Sequence, residues 1–165
     1  MPSVQGGIDA SGALASQERV LDWRHPERQQ TGLPMPLTVK DMIAAANAAV
    51  PRVTPAEAMA MIAREGAVVV DVRDAPEVAQ SGRVAGAHHI SRGMLEFRAD
   101  DSTPFHDPAL RKDRPVILYC ASGGRSALAG KALIDMGFAR VFNLGGFKDW
   151  VEAGGAVDRP LSSGH

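Results

Sequence analysis

Cys120 is the only cysteine in this 165-residue chain, and it is followed by Ala121-Ser122-Gly123-Gly124-Arg125-Ser126. Small residues and an arginine beside a lone thiol suit an anion-binding loop around a nucleophile. Pro115-Val116-Ile117-Leu118-Tyr119 before the cysteine reads as a buried strand. After it, Arg125 to Met136 reads as a helix with Ala127, Leu128, Ala132, Leu133 and Met136 on its apolar face and Gly137 closing it. A loop between a strand's end and a helix's start gathers unpaired backbone N–H groups. With the helix dipole, they favour thiolate over thiol, and the thiolate is the nucleophilic form. Gly123 and Gly124 can take positive φ and so turn N–H groups inward. A buried structural cysteine is the competing reading of a lone thiol.

The elements that must position this loop read as one domain with an arm. At 45% hydrophobic residues and net charge −1, the composition is that of an ordinary globular protein. No basic excess points to nucleic acid, and no apolar run approaches the ~20 residues of a membrane span. Met1 to Ala15 lacks the basic start and apolar core of a signal peptide, and a single cysteine excludes an internal disulfide framework. A cytoplasmic protein is expected, where thiols stay reduced.

Residues 1–36 are rich in Gly, Pro, Gln and Ser. Leu14, Glu18 and Leu21 with Trp23 suit one short helical turn, interrupted by Pro26, Pro34 and Pro36. The expectation is a poorly ordered arm. The alternative is a strap with Leu21 and Trp23 packed on the domain or on a second subunit, which leaves a homodimer open. From Thr38 the chain becomes regular. Thr38 with Asp41 predicts a capping box for a helix whose apolar stripe is Val39, Met42, Ile43 and Ala46, ended by Pro51. Thr54-Pro55-Ala56-Glu57 opens a second helix, with Met59 and Ile62 on its apolar face and Gly66 after it. Ala67 to Val72 is a strand suited to burial on both faces. Asp71 and Arg73, two apart, point to one face of it, as a surface ion pair or a solvated strand end.

A short helix from Asp74 to Gln80 and a turn at Ser81-Gly82 come next. His88 and His89 would face opposite sides of an extended segment, with His25 and His106 remote in sequence, so no metal site is expected. Ser91 to Phe97 leads into another short helix, and Asp100 to Pro108 forms a polar loop suited to a wall or lid. Val141 to Leu144 is a third strand, Gly145-Gly146 a turn, and Phe147 to Ala153 the last helix. Helices alternating with buried strands predict a parallel α/β sheet whose ligand lies at the strand C-termini, where Cys120 sits.

The loop from Cys120 to Ser126 resembles the active-site loop of the rhodanese family of sulfurtransferases. The likeness extends to Val70-Asp71-Val72-Arg73 and to Leu144-Gly145-Gly146-Phe147 with Trp150, covering about residues 53 to 155. One detail departs: Arg83 stands where the family usually has the histidine of Gly-His-Ile-x-Gly-Ala. The resemblance implies a three-layer α/β/α domain with a central parallel sheet over residues 37–157, a tail at 158–165 and no cofactor. It implies that Cys120 takes sulfur from a small sulfane donor such as thiosulfate, holds it as a persulfide, and gives it to a thiol or cyanide. Ala121, Ser122, Gly123, Gly124, Arg125 and Ser126 would form the anion cradle. In it Arg125 binds the donor or braces the loop, and Ser126 caps the loop or helix. Asp71 takes a structural hydrogen-bonding role near the site, with Arg73 beside it. Arg92 attracts an anionic donor, with Glu96 nearby; plain surface charge is the competing reading of that pair. Two other classes compete: a non-catalytic rhodanese module that binds protein, and the related cysteine-dependent phosphatases. The phosphatase loop has one more residue between Cys and Arg than the four found here.

Overall fold

The computed structural model describes residues 36–160. The expected arm, with Leu14, Leu21 and Trp23, and residues 161–165 of the tail lie outside the described residues. The chain runs α1 (Val39–Ala49), α2 (Pro55–Glu65), β1 (Val68–Asp71), α3 (Ala75–Ser81), β2 (Arg83–Val84) and β3 (His88–His89). A 3-10 turn (Arg92–Met94) then leads into α4 (Leu95–Ala99), β4 (Val116–Cys120), α5 (Gly124–Asp135), β5 (Val141–Gly146), α6 (Phe147–Glu152) and β6 (Val157–Asp158).

Four strands form a parallel sheet in the order β3-β1-β4-β5. Every residue of β1 and β4 is buried, as expected where helices cover both faces of a parallel sheet. Strand alternation then sorts the side chains. Val68, Val70, Val116, Leu118 and Cys120 face α4 and α5 through Leu95, Ala99, Ala129 and Leu133. Val69, Ile117 and Tyr119 face α2 and α6 through Ala58, Met59, Ile62, Phe147 and Trp150. Each large aliphatic side chain buried this way contributes roughly 1.5–3 kcal/mol. The layers are therefore helix, sheet and helix, and Cys120 ends β4, one of the two inner strands, on the α5 side.

Local signals set the helix ends. The Asp41 N–H donates to Thr38 Oγ1 at 3.1 Å and the Thr38 N–H to Asp41 Oδ2 at 3.0 Å, the reciprocal box expected there. The Glu57 N–H donates to Thr54 Oγ1 at 3.1 Å. The stripe expected on α1 is narrower than its apolar pattern: Ala46 is buried, while Val39 and Met42 are exposed. Among the described residues α1 packs mainly on α5, and the part of its surface that carries Val39 and Met42 stays largely open to solvent. β5 runs on through Gly145 and Gly146, where a turn was expected, because both pair with the end of β4. β6 pairs antiparallel with β2, and Asp158, assigned to the tail by sequence, accepts the Gly86 N–H at 2.9 Å.

The Asp100 to Pro108 loop was expected as a wall or lid, but its contacts tie it to α4 and β3. The Thr103 hydroxyl donates to the Phe97 carbonyl at 2.6 Å, the Asp107 N–H to the Arg98 carbonyl at 2.8 Å, and His88 lies 3.6 Å from the Asp107 carboxylate. His89 points elsewhere, to the Arg73 carbonyl at 2.7 Å. Among the described residues, no helix is long and apolar enough to cross a membrane.

Candidate active site

Cys120 is almost fully buried at the floor of its loop. Beyond it the chain reverses through Ser122 and enters α5, with Gly123 as N-cap at φ +105, a conformation that strongly favours glycine. This geometry brings the Gly123 N–H to 3.0 Å from Cys120 Sγ. Burial pushes the thiol pKa up, but the Ser126 hydroxyl and the N–H groups of Ser126, Gly123 and Ser122 more than offset it. The net shift is downward from the ordinary value of 9.0. The donors cluster at the N-terminal end of a 12-residue helix, so the helix dipole acts in the same direction.

Ser126 does not cap α5; that position belongs to Gly123, and Ser126 lies inside the first turn, fully buried. Its hydroxyl lies 2.8 Å from Asn143 Oδ1 and 3.4 Å from Cys120 Sγ. It has one proton for two acceptors, and an anionic sulfur competes for it better than a neutral thiol does. Asn143 completes the support. Its Oδ1 also accepts the Gly145 N–H at 2.9 Å, and its Nδ2 donates to the Gly123 carbonyl at 3.1 Å. The slip of register between Leu118 and Tyr119 puts Asn143 opposite Leu118 and Gly145 opposite Tyr119.

The Arg125 side chain does not turn into the ring. Its Nη1 and Nη2 donate to the two carboxylate oxygens of Glu77 at 2.7 and 2.8 Å, with Asp74 a further 3.9 Å contact. Glu77 also accepts the Asp74 N–H at 2.9 Å. The Arg125 guanidinium and that N–H together hold its carboxyl at about 2, well below the ordinary 4.5. Arg125 thus braces the loop against α3.

Residues 54–153 match the model of the rhodanese-like domain. The chain belongs to that family. It is 38% identical over 102 residues to a thiosulfate sulfurtransferase GlpE of Pseudomonas fluorescens, covering 60% of this chain and 83% of that one. Among solved structures, a polysulfide-sulfur transferase homodimer from Wolinella succinogenes is 30% identical with a TM-score of 0.61, over 76% of this chain and 90% of that one. A Rhodopseudomonas palustris protein of unknown function, described as a possible tyrosine phosphatase, is 38% identical with a TM-score of 0.68, over 77% and 100% of the two chains.

Within this rhodanese-like domain, the loop residues from Cys120 to Ser126 come together, and among the described residues none of the four outlying candidates makes a side-chain hydrogen bond or ion pair with them. Asp71 and Arg73 are a buried pair, where a surface pair or solvated strand end was the residue-level expectation. Asp71 accepts from Arg73 Nε at 3.0 Å and Nη2 at 2.7 Å and from the Tyr119 hydroxyl at 2.6 Å. Arg73 also donates to Ser81 Oγ at 2.8 Å and the Gly82 carbonyl at 2.7 Å, and lies 4.5 Å from the Phe147 ring centroid. Because Asp71 shares the Tyr119 face of the sheet, this bracket sits on the side away from the sulfur. Arg92 pairs with Glu96 one helical turn on, and its N–H donates to the Val72 carbonyl at 3.1 Å. Glu77 and Asn143 escaped the sequence reading. A polar residue inside the apolar run Val141 to Leu144 was the available sign for Asn143, since buried amides need partners. Glu77 meets Arg125 across 48 residues of chain and leaves no local trace.

Proposed function

We propose that this protein is a sulfurtransferase that moves sulfane sulfur from a small anionic donor such as thiosulfate, through a persulfide on Cys120. The observation that carries the reading is the Gly123 N–H at 3.0 Å from Sγ, within a ring of donors that lowers the thiol pKa. The thiolate attacks the outer sulfur of the donor. The new Cys120 S–S bond forms as the donor's S–S bond breaks, and sulfite leaves with the bonding pair. The terminal sulfur is then anionic, and the same N–H groups stabilise it without reorganisation. In a second step a thiol or cyanide takes that sulfur and regenerates the thiolate, so ping-pong kinetics are expected. Cys120 is the only thiol in the chain, so the acceptor comes from outside. This chemistry suits the reducing cytoplasm.

The names of the Pseudomonas and Wolinella relatives support sulfur transfer, whereas the Rhodopseudomonas description raises phosphate-ester hydrolysis. Loop size favours sulfur. With four residues between Cys120 and Arg125 the ring closes on one sulfur atom, while three phosphate oxygens need a wider cradle. Intact-mass spectrometry after adding thiosulfate without an acceptor tests the proposal. One sulfur atom should be gained, at Cys120, and lost again to cyanide. Cys120→Ser should keep the fold and gain none, because a hydroxyl is a poor nucleophile that holds no persulfide. An unchanged mass with several sulfane donors would leave the domain as a binding module.

A further inference from the structure

Arg125 is the charge that the loop motif supplies for an anionic substrate, yet both its outer nitrogens are taken up by Glu77. A second guanidinium lies beside the ring. Arg52, between α1 and α2, pairs its backbone with Asn143 at the edge of β5. Its side chain lies across Gly145 and Gly123. A Cβ at Gly145, where φ is +93, would fall inside the guanidinium, and one at Gly123 would stand 3.2 Å from Nη1. Gly123 also donates the shortest hydrogen bond to the sulfur. Two glycines thus leave open the space that this side chain fills. Arg52 is exposed and makes no side-chain hydrogen bond or ion pair with another described residue. Asp149 lines with Arg52 a hollow of about 230 Å³ without pairing to it.

Resting on the sulfurtransferase reading above, we propose that Arg52 is a specificity-determining residue that recognises the oxyanion end of the donor. Arg125 shapes the ring and Arg52 draws the substrate to it. A guanidinium suits the task because it stays charged and presents a fork to the paired oxygens of a sulfonate. Being exposed, its effect should be moderate and salt-sensitive.

The test compares wild type, Arg52→Gln and Arg52→Lys in two assays. In steady-state transfer from thiosulfate to cyanide, Arg52→Gln should raise the thiosulfate KM about tenfold with kcat little changed, a difference of about 1.4 kcal/mol. Arg52→Lys should restore most of the loss, and added salt should narrow the gap. The second assay needs no sulfur transfer: Cys120 is alkylated with anionic iodoacetate and with neutral iodoacetamide. Arg52→Gln should lower the iodoacetate rate several-fold relative to iodoacetamide. An unchanged KM and an unchanged ratio would overturn the proposal. So would equal slowing with both reagents, the mark of a packing role. If wild type takes no sulfur from thiosulfate, the sulfurtransferase reading fails, and an unchanged alkylation ratio would then separately dismiss Arg52 as an anion-attracting group.

Discussion

Two arginines, Arg73 and Arg125, are each gripped by a carboxylate through two nitrogens, and their surroundings make them different devices. The Asp71–Arg73 side chains are 0% and 4% exposed, while those of Glu77 and Arg125 are 37% and 36% exposed. In the first pair every polar atom is taken by a neighbour: Tyr119, Ser81 and the Gly82 carbonyl complete the network. Such a pair adds little over a well-packed apolar substitute, but removing one member leaves an uncompensated buried charge. The second pair is half in water, where ion pairs contribute little to stability. What it fixes is the position of the residue that closes the ring around Cys120. Burial, rather than pairing geometry, separates the pair that supports the fold from the one that stays partly solvated beside the Cys120 loop.

The largest effect should follow from breaking the buried pair. Arg73→Met should cost about 3–5 kcal/mol of stability by urea denaturation, with the pH dependence of Cys120 alkylation unchanged in the folded fraction. A loss under 1 kcal/mol would erase the contrast between the two arginines. Next comes the ring itself. Inserting one glycine between Gly124 and Arg125 should lower sulfur transfer on the order of a hundredfold, since a displacement of about 1 Å is enough to do so. Circular dichroism should show the fold kept, and the unmodified chain should not hydrolyse aryl phosphates usefully.

A smaller effect is expected for Ser126→Ala. The Cys120 pKa is depressed, so its alkylation rate rises with pH along an inflection below the ordinary 9.0. Loss of the hydroxyl should move that inflection upward and cost about 1 kcal/mol of stability through the bond to Asn143. The smallest belongs to Glu77→Gln, under about 1 kcal/mol at neutral pH. Because the folded carboxyl sits at about 2 and the ordinary one at 4.5, this contribution is full above 4.5 and fades as pH falls through 2. Wild type and Glu77→Gln should therefore converge in denaturation experiments near pH 2. A gap that persists there would mean the carboxylate charge is not its source.

The features legible in the sequence are those written locally. The Cys120 loop lies between an apolar run and a helical pattern, and Thr38 with Asp41 and Thr54 with Glu57 mark helix starts within four residues. The parallel α/β sheet followed from the alternation of such segments, and its three-layer form from the family resemblance. What escaped depended on partners far away in the chain. The burial of Asp71 and Arg73 needs Tyr119, 48 residues on from Asp71, and the clamp on Arg125 needs Glu77 at the same separation. Ser126 looked like a cap because small polar residues favour helix starts; Gly123 claims that position once the chain bends to meet Cys120. Val39 and Met42 satisfied a helical period and yet lie exposed, since periodicity says which residues share a face and nothing about whether a neighbour covers it.

The nearly sealed position of Cys120 also bears on oxidative damage. A thiolate that peroxide converts to a sulfenic acid is ordinarily rescued by a second cysteine that condenses with it as a disulfide. This chain has no such partner, so an oxidised Cys120 would proceed to the irreversible sulfinic acid unless an external thiol reached it first. The close ring of Ser122, Gly123 and Ser126 offsets that exposure to risk by restricting access to the sulfur. A persulfide would add a further layer, because oxidation would fall first on the outer sulfur, whose S–S bond can still be reduced to return the original thiol. Donor supply would then govern how long the protein survives under oxidants as well as how fast it turns over.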